Sequence, residues 1–422
     1  MKTPACCLLL LFSIGLFSCE KEVEADRLLS SGRPFAGSAV FSGMITSPRV
    51  LHRDTLYHME GVVWVTPGNT LTIEPGVRIE CSRQETNPSI PTALIILPGA
   101  QLQCNGTAAA PVIFTSGASR PSPGDWGGIL LAGKAGGQYG GSSLMKMLAG
   151  FNQSADSLLL QSDSAWRYGN TITDNSGAIT YTRIEYAGIP GLTSALTLCG
   201  TGNSTSINYV EAAWSRSNAF EFRGGTTSTS HLISLCPVQE AFATGMNYQG
   251  RLSFSLSLTH TRVADSTFNV SAASKPTYFK NRGDSGVIFD HLTVIGLPSL
   301  PPPFYRAKWH NNTSKTSPDS RITHSLFMGY LPGAASTAAS DNNISFVKPS
   351  ALNNYTDNND SIQLISPWDW ADFRPTSGSP ANFRKLSSDT TGYIGAFAPD
   401  AFPWTGSWAR FDYQAVYTSH MR

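Results

Sequence analysis

The side chains able to do chemistry in this chain are scattered among polar turns, and few of them recur at a spacing that makes a site. Arg183, Glu211 and His291 hold comparable positions in strand-like segments, so stacked segments would bring them onto one face. Opposite charges aligned in this way form a surface ladder, or a general acid and base where they converge. Asp357-Asn358-Asn359-Asp360 is similar to an acidic cation loop. It lacks the glycine and distal glutamate of an EF-hand, which makes it a solvated turn. Asp369 and Asp372, flanked by Trp368 and Trp370, combine hydrogen-bonding acids with stacking faces that suit a sugar ring, although aromatics near a chain end also pack as a cap. Hydrolysis of a sugar bond needs two carboxylates across it, and lyase chemistry needs acidic Ca²⁺ ligands beside an Arg or Lys base. The spacing supplies neither, and the 8 histidines include no HExxH. Gly136-Gly137-Gln138-Tyr139-Gly140-Gly141 follows no strand-to-helix turn, so it reads as flexible loop and not as a phosphate cradle. The sequence thus assigns no catalytic residue, no metal site and no cofactor.

The elements that must position these residues are unusually regular. Val62-Val63-Trp64-Val65, Leu71-Thr72-Ile73 and Val77-Arg78-Ile79 are separated by the corners Thr66-Pro67-Gly68-Asn69 and Glu74-Pro75-Gly76. The same unit returns as Leu94-Ile95-Ile96-Leu97, Leu102-Gln103-Cys104 and Val112-Ile113-Phe114, with Leu71 and Leu102 set 31 residues apart. Proline fixes its own φ and glycine accepts left-handed angles, so each Pro-Gly pair bends an extended chain. Three bends close a triangular turn, and stacked turns pair equivalent strands about 4.8 Å apart. The expected fold is all-β: a right-handed parallel β-helix with three sheets, protruding loops and a C-terminal cap.

Gly124-Asp125-Trp126-Gly127-Gly128-Ile129-Leu130-Leu131-Ala132 reads as a third turn. The pattern lapses over about 135–176, where Leu144-Met145-Lys146-Met147-Leu148 reads as a short helix in a protruding excursion. Alternating strands then begin at Ile179, Ile207, His231, Val287 and Ile322, each turn carrying a loop of different length. A triproline, Pro301-Pro302-Pro303, must occupy a loop. The helix is expected over 35–398 and the cap or tail over 399–422. Cys81, Cys104, Cys199 and Cys236 show no CxxC or Cys/His spacing, and buried free thiols are preferred to disulfides. Charged residues make up 14% of the chain and the net charge is +1, which leaves no basic face for nucleic acid.

At the N-terminus an apolar run from Leu8 to Leu16 is too short to span a bilayer and reads as a signal peptide over residues 1–18. Leu16-Phe17-Ser18-Cys19 resembles a lipobox, with Cys19 as the lipidated residue and 19–34 as an acidic tether. An acyl group there would anchor the protein to outer-membrane lipid, exposed on the cell surface.

Leu71-Thr72-Ile73-Glu74-Pro75-Gly76, Pro111-Val112-Ile113-Phe114-Thr115, Gly124-Asp125-Trp126-Gly127-Gly128, Asp174-Asn175-Ser176-Gly177, Arg183-Ile184-Glu185-Tyr186-Ala187-Gly188 and Tyr393-Ile394-Gly395-Ala396-Phe397 together resemble a family of Bacteroidetes surface lipoproteins. That family has the right-handed parallel β-helix of the pectin-lyase-like fold. The resemblance spans about 50–411 and implies fold more than function. Such relatives carry paired aspartates where this chain reads Ser217-Asn218, ahead of Ala219-Phe220-Glu221-Phe222-Arg223-Gly224-Gly225, and a second acidic stretch retains only Glu240. A cation site built from those acids would be degraded here. The expectation is a non-catalytic surface protein that binds a glycan or a protein partner, the alternative being a polysaccharide lyase or glycoside hydrolase. Trp214, Arg216, Glu221 and Arg223, with Asp174 and Asn175 and the 135–176 excursion, are the candidate binding surface.

Overall fold

In the computed structural model the 31-residue offset is the register of the fold: Leu71 pairs with Leu102 and Ile73 with Cys104. Residues 35–81, 91–154, 158, 171–258, 279–282, 286–295, 309–311, 321–328, 355–357, 362–367, 372–382 and 392–411 are described. Of their strands, 24 join one sheet whose pairings are parallel, wound into a β-helix with three walls, and Leu364–Ser366 pairs antiparallel with Asp372–Pro375 apart from it.

Wall A stacks Arg49–Leu51, Thr70–Ile73, Gln101–Asn105 and the first half of Gly177–Glu185, and continues to Ile288–Asp290 and Arg321–Thr323. Wall B stacks Arg78–Cys81, Val112–Ser116, the second half of Gly177–Glu185 and, farther on, Leu256–Leu258, Thr293–Ile295 and Leu326–Met328. Wall C stacks the end of Thr55–Val65 on Ala93–Ile96, Ile129–Ala132, Leu196–Thr201, Phe220–Gly225 and Phe242–Tyr248. Alternate residues of every wall point inward, and they form one apolar column that runs from Phe41 to Phe327. One coil was not foreseen in the sequence: Arg251–Ser253 and Leu256–Leu258, whose serines hide the alternation of Leu252, Leu256 and Leu258.

The corners change character along the column. Gly68, Gly76 and Gly99 take φ of 81°, 83° and 85°, as the Pro-Gly pairs require. From the fourth coil the A–B corner is a single non-glycine residue within a nearly continuous strand. Tyr181, Tyr209, His231, Phe254, His291 and His324 all sit at φ between 43° and 56°. A left-handed residue with a side chain costs about 1–2 kcal/mol. Here the common backbone turn stacks the rings in a ladder, with centroids 4.5, 4.4, 5.6, 4.9 and 4.8 Å apart in sequence order, which offsets part of that cost. Burial holds His231 down at about 4, so it stacks as a neutral ring at physiological pH.

Two walls are covered on their outer faces. In its described residues the excursion forms helix α1 (Gly137–Gly150), which lies against the column: its Leu144, Met147 and Leu148 pack with Phe151 on Trp64, Ile95, Leu97 and Leu130 of wall C. The glycine-rich stretch expected as loop is therefore the first turn of α1. Each glycine costs about 1 kcal/mol in a helix, but burying four large apolar side chains at about 1.5–3 kcal/mol apiece outweighs it. Gly177 brings the chain back from this excursion into wall A, at φ 111°, where an added Cβ would lie 2.0 Å from the Leu102 carbonyl oxygen.

The aromatic C-terminal residues expected to cap the end instead run along the side of the column among the described residues. Tyr393 meets His291, Trp404 meets His231, and Trp408 meets Tyr181, so this strap descends the ring ladder toward the N-terminal coils. Ile362, Leu364, Phe373, Ile394 and Phe397 join it over the apolar outer face of wall B, where Ile233, Leu235, Leu256 and Leu258 point outward. Wall A keeps an open face in its early coils: Thr70, Thr72, Gln101 and Gln103 alternate with the buried Leu71, Ile73, Leu102 and Cys104.

Cys81, Cys104, Cys199 and Cys236 are all free and buried. Burial pushes the Cys104 and Cys199 thiols up to about 12. Iodoacetamide at neutral pH should leave these four thiols unlabelled in the native protein and label them after denaturation; rapid native labelling of Cys104 would contradict its inward position.

Candidate functional site

The outward column of wall C starts apolar and turns polar at Thr197 and Glu221, on strands that α1 also lies against. Ile95, Leu130, Thr197, Glu221 and Ala243 follow one another up the wall. The alternation Phe220-Glu221-Phe222-Arg223 sends both phenylalanines into the core and both charges outward. Their neighbours one coil further on, Ala243 and Gly245, are small. The missing side-chain volume leaves a cleft of about 430 Å³ between wall C and α1.

The cleft is polar. Lys146 of α1 faces Glu221, Arg223 and Glu240, while Ser217, Asn218, Gln239 and Thr244 add hydroxyl and amide groups. Arg223 donates through Nε to Glu221 Oε1 at 2.9 Å and through Nη2 to Oε2 at 3.1 Å. The Ser194 hydroxyl donates to Glu221 Oε2 at 2.8 Å. Asn218 Oδ1 accepts the Glu240 backbone N–H at 3.1 Å, and the Ser217 hydroxyl donates to Gln239 Oε1 at 3.2 Å. Glu221 is thus fixed as a bidentate, charge-assisted acceptor, a geometry that orients Arg223 along the cleft floor.

Of the six candidate binding residues, the cleft gathers Glu221 and Arg223. Trp214 is a half-buried corner residue at φ 52° that stacks on Tyr186 at 5.1 Å. Arg216 is exposed and lies against Gly124. Asp174 and Asn175 build the turn into wall A: Asp174 accepts from the Ser176 hydroxyl at 3.1 Å, and Asn175 Oδ1 accepts from Gly177 N–H at 2.8 Å. Burial raises the Asp174 carboxyl above its ordinary value, against the pull of those donors. Asp372 is paired with Arg374 at 2.7 Å, which lowers its carboxyl; Trp368, Asp369, Trp370 and residues 358–360 lie outside the described residues, as does everything before residue 35. Lys146 was covered in the sequence only as part of the 135–176 segment, since the packing of α1 on wall C is what brings it here, and Asn218 and Gln239, which neighbouring coils bring together, were not singled out as binding residues. Ser217 and Asn218, which stand where the resemblance implies paired acids, do lie in this cleft.

A family profile described as the pectate-lyase like beta helix domain matches residues 43–299, more than half of the chain. No curated protein and no solved structure matches it.

The second charged cluster lies on wall B under the strap. Arg183 and Glu211 are register neighbours, as their spacing implied, but His291 belongs to the corner ladder and not to their column. Arg183 donates to Glu185 Oε1 from Nε at 2.8 Å, and the Thr115 hydroxyl donates to Oε2 at 2.8 Å. Burial pushes the Glu185 carboxyl up, yet Arg183, Arg410 and Thr115 outweigh it and hold it below its ordinary value. Glu211 is fully buried, and the Arg410 backbone N–H donates to its Oε2 at 2.9 Å. Burial, with the Glu185 charge adding to it, drives Glu211 up to about 8 against the pull of Arg183 and Arg410. This cluster holds the strap down. It offers no opening for a substrate.

Glu211 binds its proton more tightly in the folded chain than in the unfolded one, so stability is greatest below its unfolded value of 4.5 and falls as pH rises to about 8. Chemical denaturation across that window should show a loss on the order of a few kcal/mol, which Glu211→Gln flattens. An equally steep pH dependence in the variant would show that Glu211 is not its source.

Proposed function

This chain belongs to the pectate-lyase-like β-helix family, and on that premise we propose that it is a non-catalytic binding protein that holds a glycan in the cleft between α1 and wall C. The observation that supports this reading is the state of the cleft carboxylate: Glu221 is already committed to Arg223 and Ser194. A lining of hydroxyl, amide and charged groups, with no aromatic platform among the described residues, suits a hydrogen-bonding ligand, and Lys146, whose charge no ion pair among the described residues takes up, favours an acidic sugar. The Bacteroidetes resemblance and the lipobox at Cys19 support display of the rod at the outer-membrane surface on an acyl anchor. A protein partner is the other ligand class that such a display would serve.

The enzymatic alternative draws on one feature, the presence of both Glu221 and Glu240 in one cleft. A hydrolase of this fold would use one as acid and the other as base or nucleophile. The two readings separate in a single set of assays.

On glycan arrays the wild-type protein should retain an acidic oligosaccharide without turning it over, and Arg223→Ala or Ala243→Trp should weaken retention about tenfold or more while the thermal midpoint barely moves. Release of reducing or unsaturated ends, abolished by Glu221→Gln or Glu240→Gln, would establish catalysis instead. Unchanged binding in Arg223→Ala and Ala243→Trp would remove the cleft from the account. For the anchor, fatty-acid labelling of the expressed protein should disappear in Cys19→Ala, with the protein leaving the membrane fraction; labelling that persists would refute Cys19 as the lipidated residue.

A further inference from the structure

The corner ladder ends in a group of side chains that no binding surface described above uses. Asp290, His291 and His324 each bring one ligand-capable atom within 4.8 Å of the other two. The repeat itself produces this grouping. Asp290 closes the wall A strand Ile288–Asp290 and pairs with Thr323 of the next coil, so the residues that follow, His291 and His324, are equivalent corner positions on adjacent coils. Both take the left-handed turn, at φ 53° and 49°, and their rings stack 4.8 Å apart with planes 27° off parallel.

That stacking points two imidazole nitrogens at one carboxylate oxygen. His324 Nδ1 lies 2.8 Å and His291 Nδ1 3.2 Å from Asp290 Oδ1. The Thr323 hydroxyl donates to the same oxygen at 2.6 Å, while Arg251 approaches the other oxygen, Oδ2, at 3.5 Å. Bonds of about 2.0–2.1 Å to a tetrahedral ion place ligand atoms roughly 3.3 Å apart. The two imidazole–carboxylate separations lie within about half an ångström of that spacing, and the two nitrogens, within 4.8 Å of each other, would be drawn together by the ion. Arg251 and Thr323 fix the carboxylate as outer partners, the role that orients a ligand toward a metal. Tyr393 of the strap lies edge-on to His291, with centroids 5.6 Å apart, on the outer side of the pair.

We propose that Asp290, His291 and His324 form a binding site for a divalent transition ion of the zinc class, which pins two adjacent coils together. Two imidazoles and one carboxylate select zinc, cobalt or nickel over calcium and magnesium, which take oxygen donors. The site holds three protein ligands and leaves the fourth position to water or an incoming group. An ion bound only by the native chain stabilises it by mass action, so it raises the thermal midpoint of the column.

The test uses the full-length, untagged protein after treatment with a chelator. Calorimetric titration with zinc should show one tight equivalent and a raised thermal midpoint, and titration with cobalt should give the strong visible absorption of a tetrahedral centre. Zinc-edge X-ray absorption of the wild-type protein should show two imidazole nitrogens, a readout that depends on no variant. His324→Gln and Asp290→Asn should each weaken binding about tenfold or more, whereas His231→Gln, on the same ladder but outside the group, should bind as the wild type does. Absence of stoichiometric binding, an absorption edge without imidazole, or undiminished affinity in both variants would overturn the assignment.

Discussion

Every coil of this protein is held by its in-register parallel ladder to the coils on either side, and the apolar column inside exists only because that register is kept. A slip of one residue in any wall would turn Leu71, Leu102 or Phe222 outward and carry polar neighbours such as Thr72 or Arg223 into the core. The corners carry this constraint. Early coils meet it with Pro-Gly pairs, whereas later coils set a tyrosine, histidine or phenylalanine in the left-handed conformation and recover energy by stacking the rings.

The same constraint decides what can cover the column. Wall C has an apolar outer face in its early coils, and α1 packs there. Wall B has one in its later coils, and the C-terminal strap packs there. On the later strands that α1 also lies against, the outward column turns to Thr197, Glu221 and the small Ala243, and the cleft forms between them and the helix. Beneath Arg410 of the strap lie Arg183, Glu185 and Glu211, which it meets.

Much of the fold was legible in the sequence because its signal is local and repeated. Two Pro-Gly corners at one offset fixed the register of Leu71 on Leu102, and with it the burial of Cys104. The coil at Leu252–Leu258 escaped because serine alternates with leucine there. The short helix at Leu144–Leu148 was legible, but its extension back through the glycine-rich stretch to Gly137 escaped because it depends on tertiary packing of the helix on Trp64 and Leu130 and not on propensity. The candidate site divided on the same ground. Glu221 and Arg223 were singled out from the stretch that carries the resemblance, and the alternation of their strand turns both outward. Trp214, Asp174 and Asn175 are polar or aromatic for reasons internal to corners and turns, and Lys146 reaches the cleft through a contact between elements far apart in sequence.

The most direct test of the functional reading is a crystal structure of the protein with an acidic oligosaccharide that it retains. The sugar should lie along wall C between Lys146 and Arg223, with intact glycosidic bonds. Density on the open face of wall A, or a cleaved product beside Glu221 and Glu240, would contradict it.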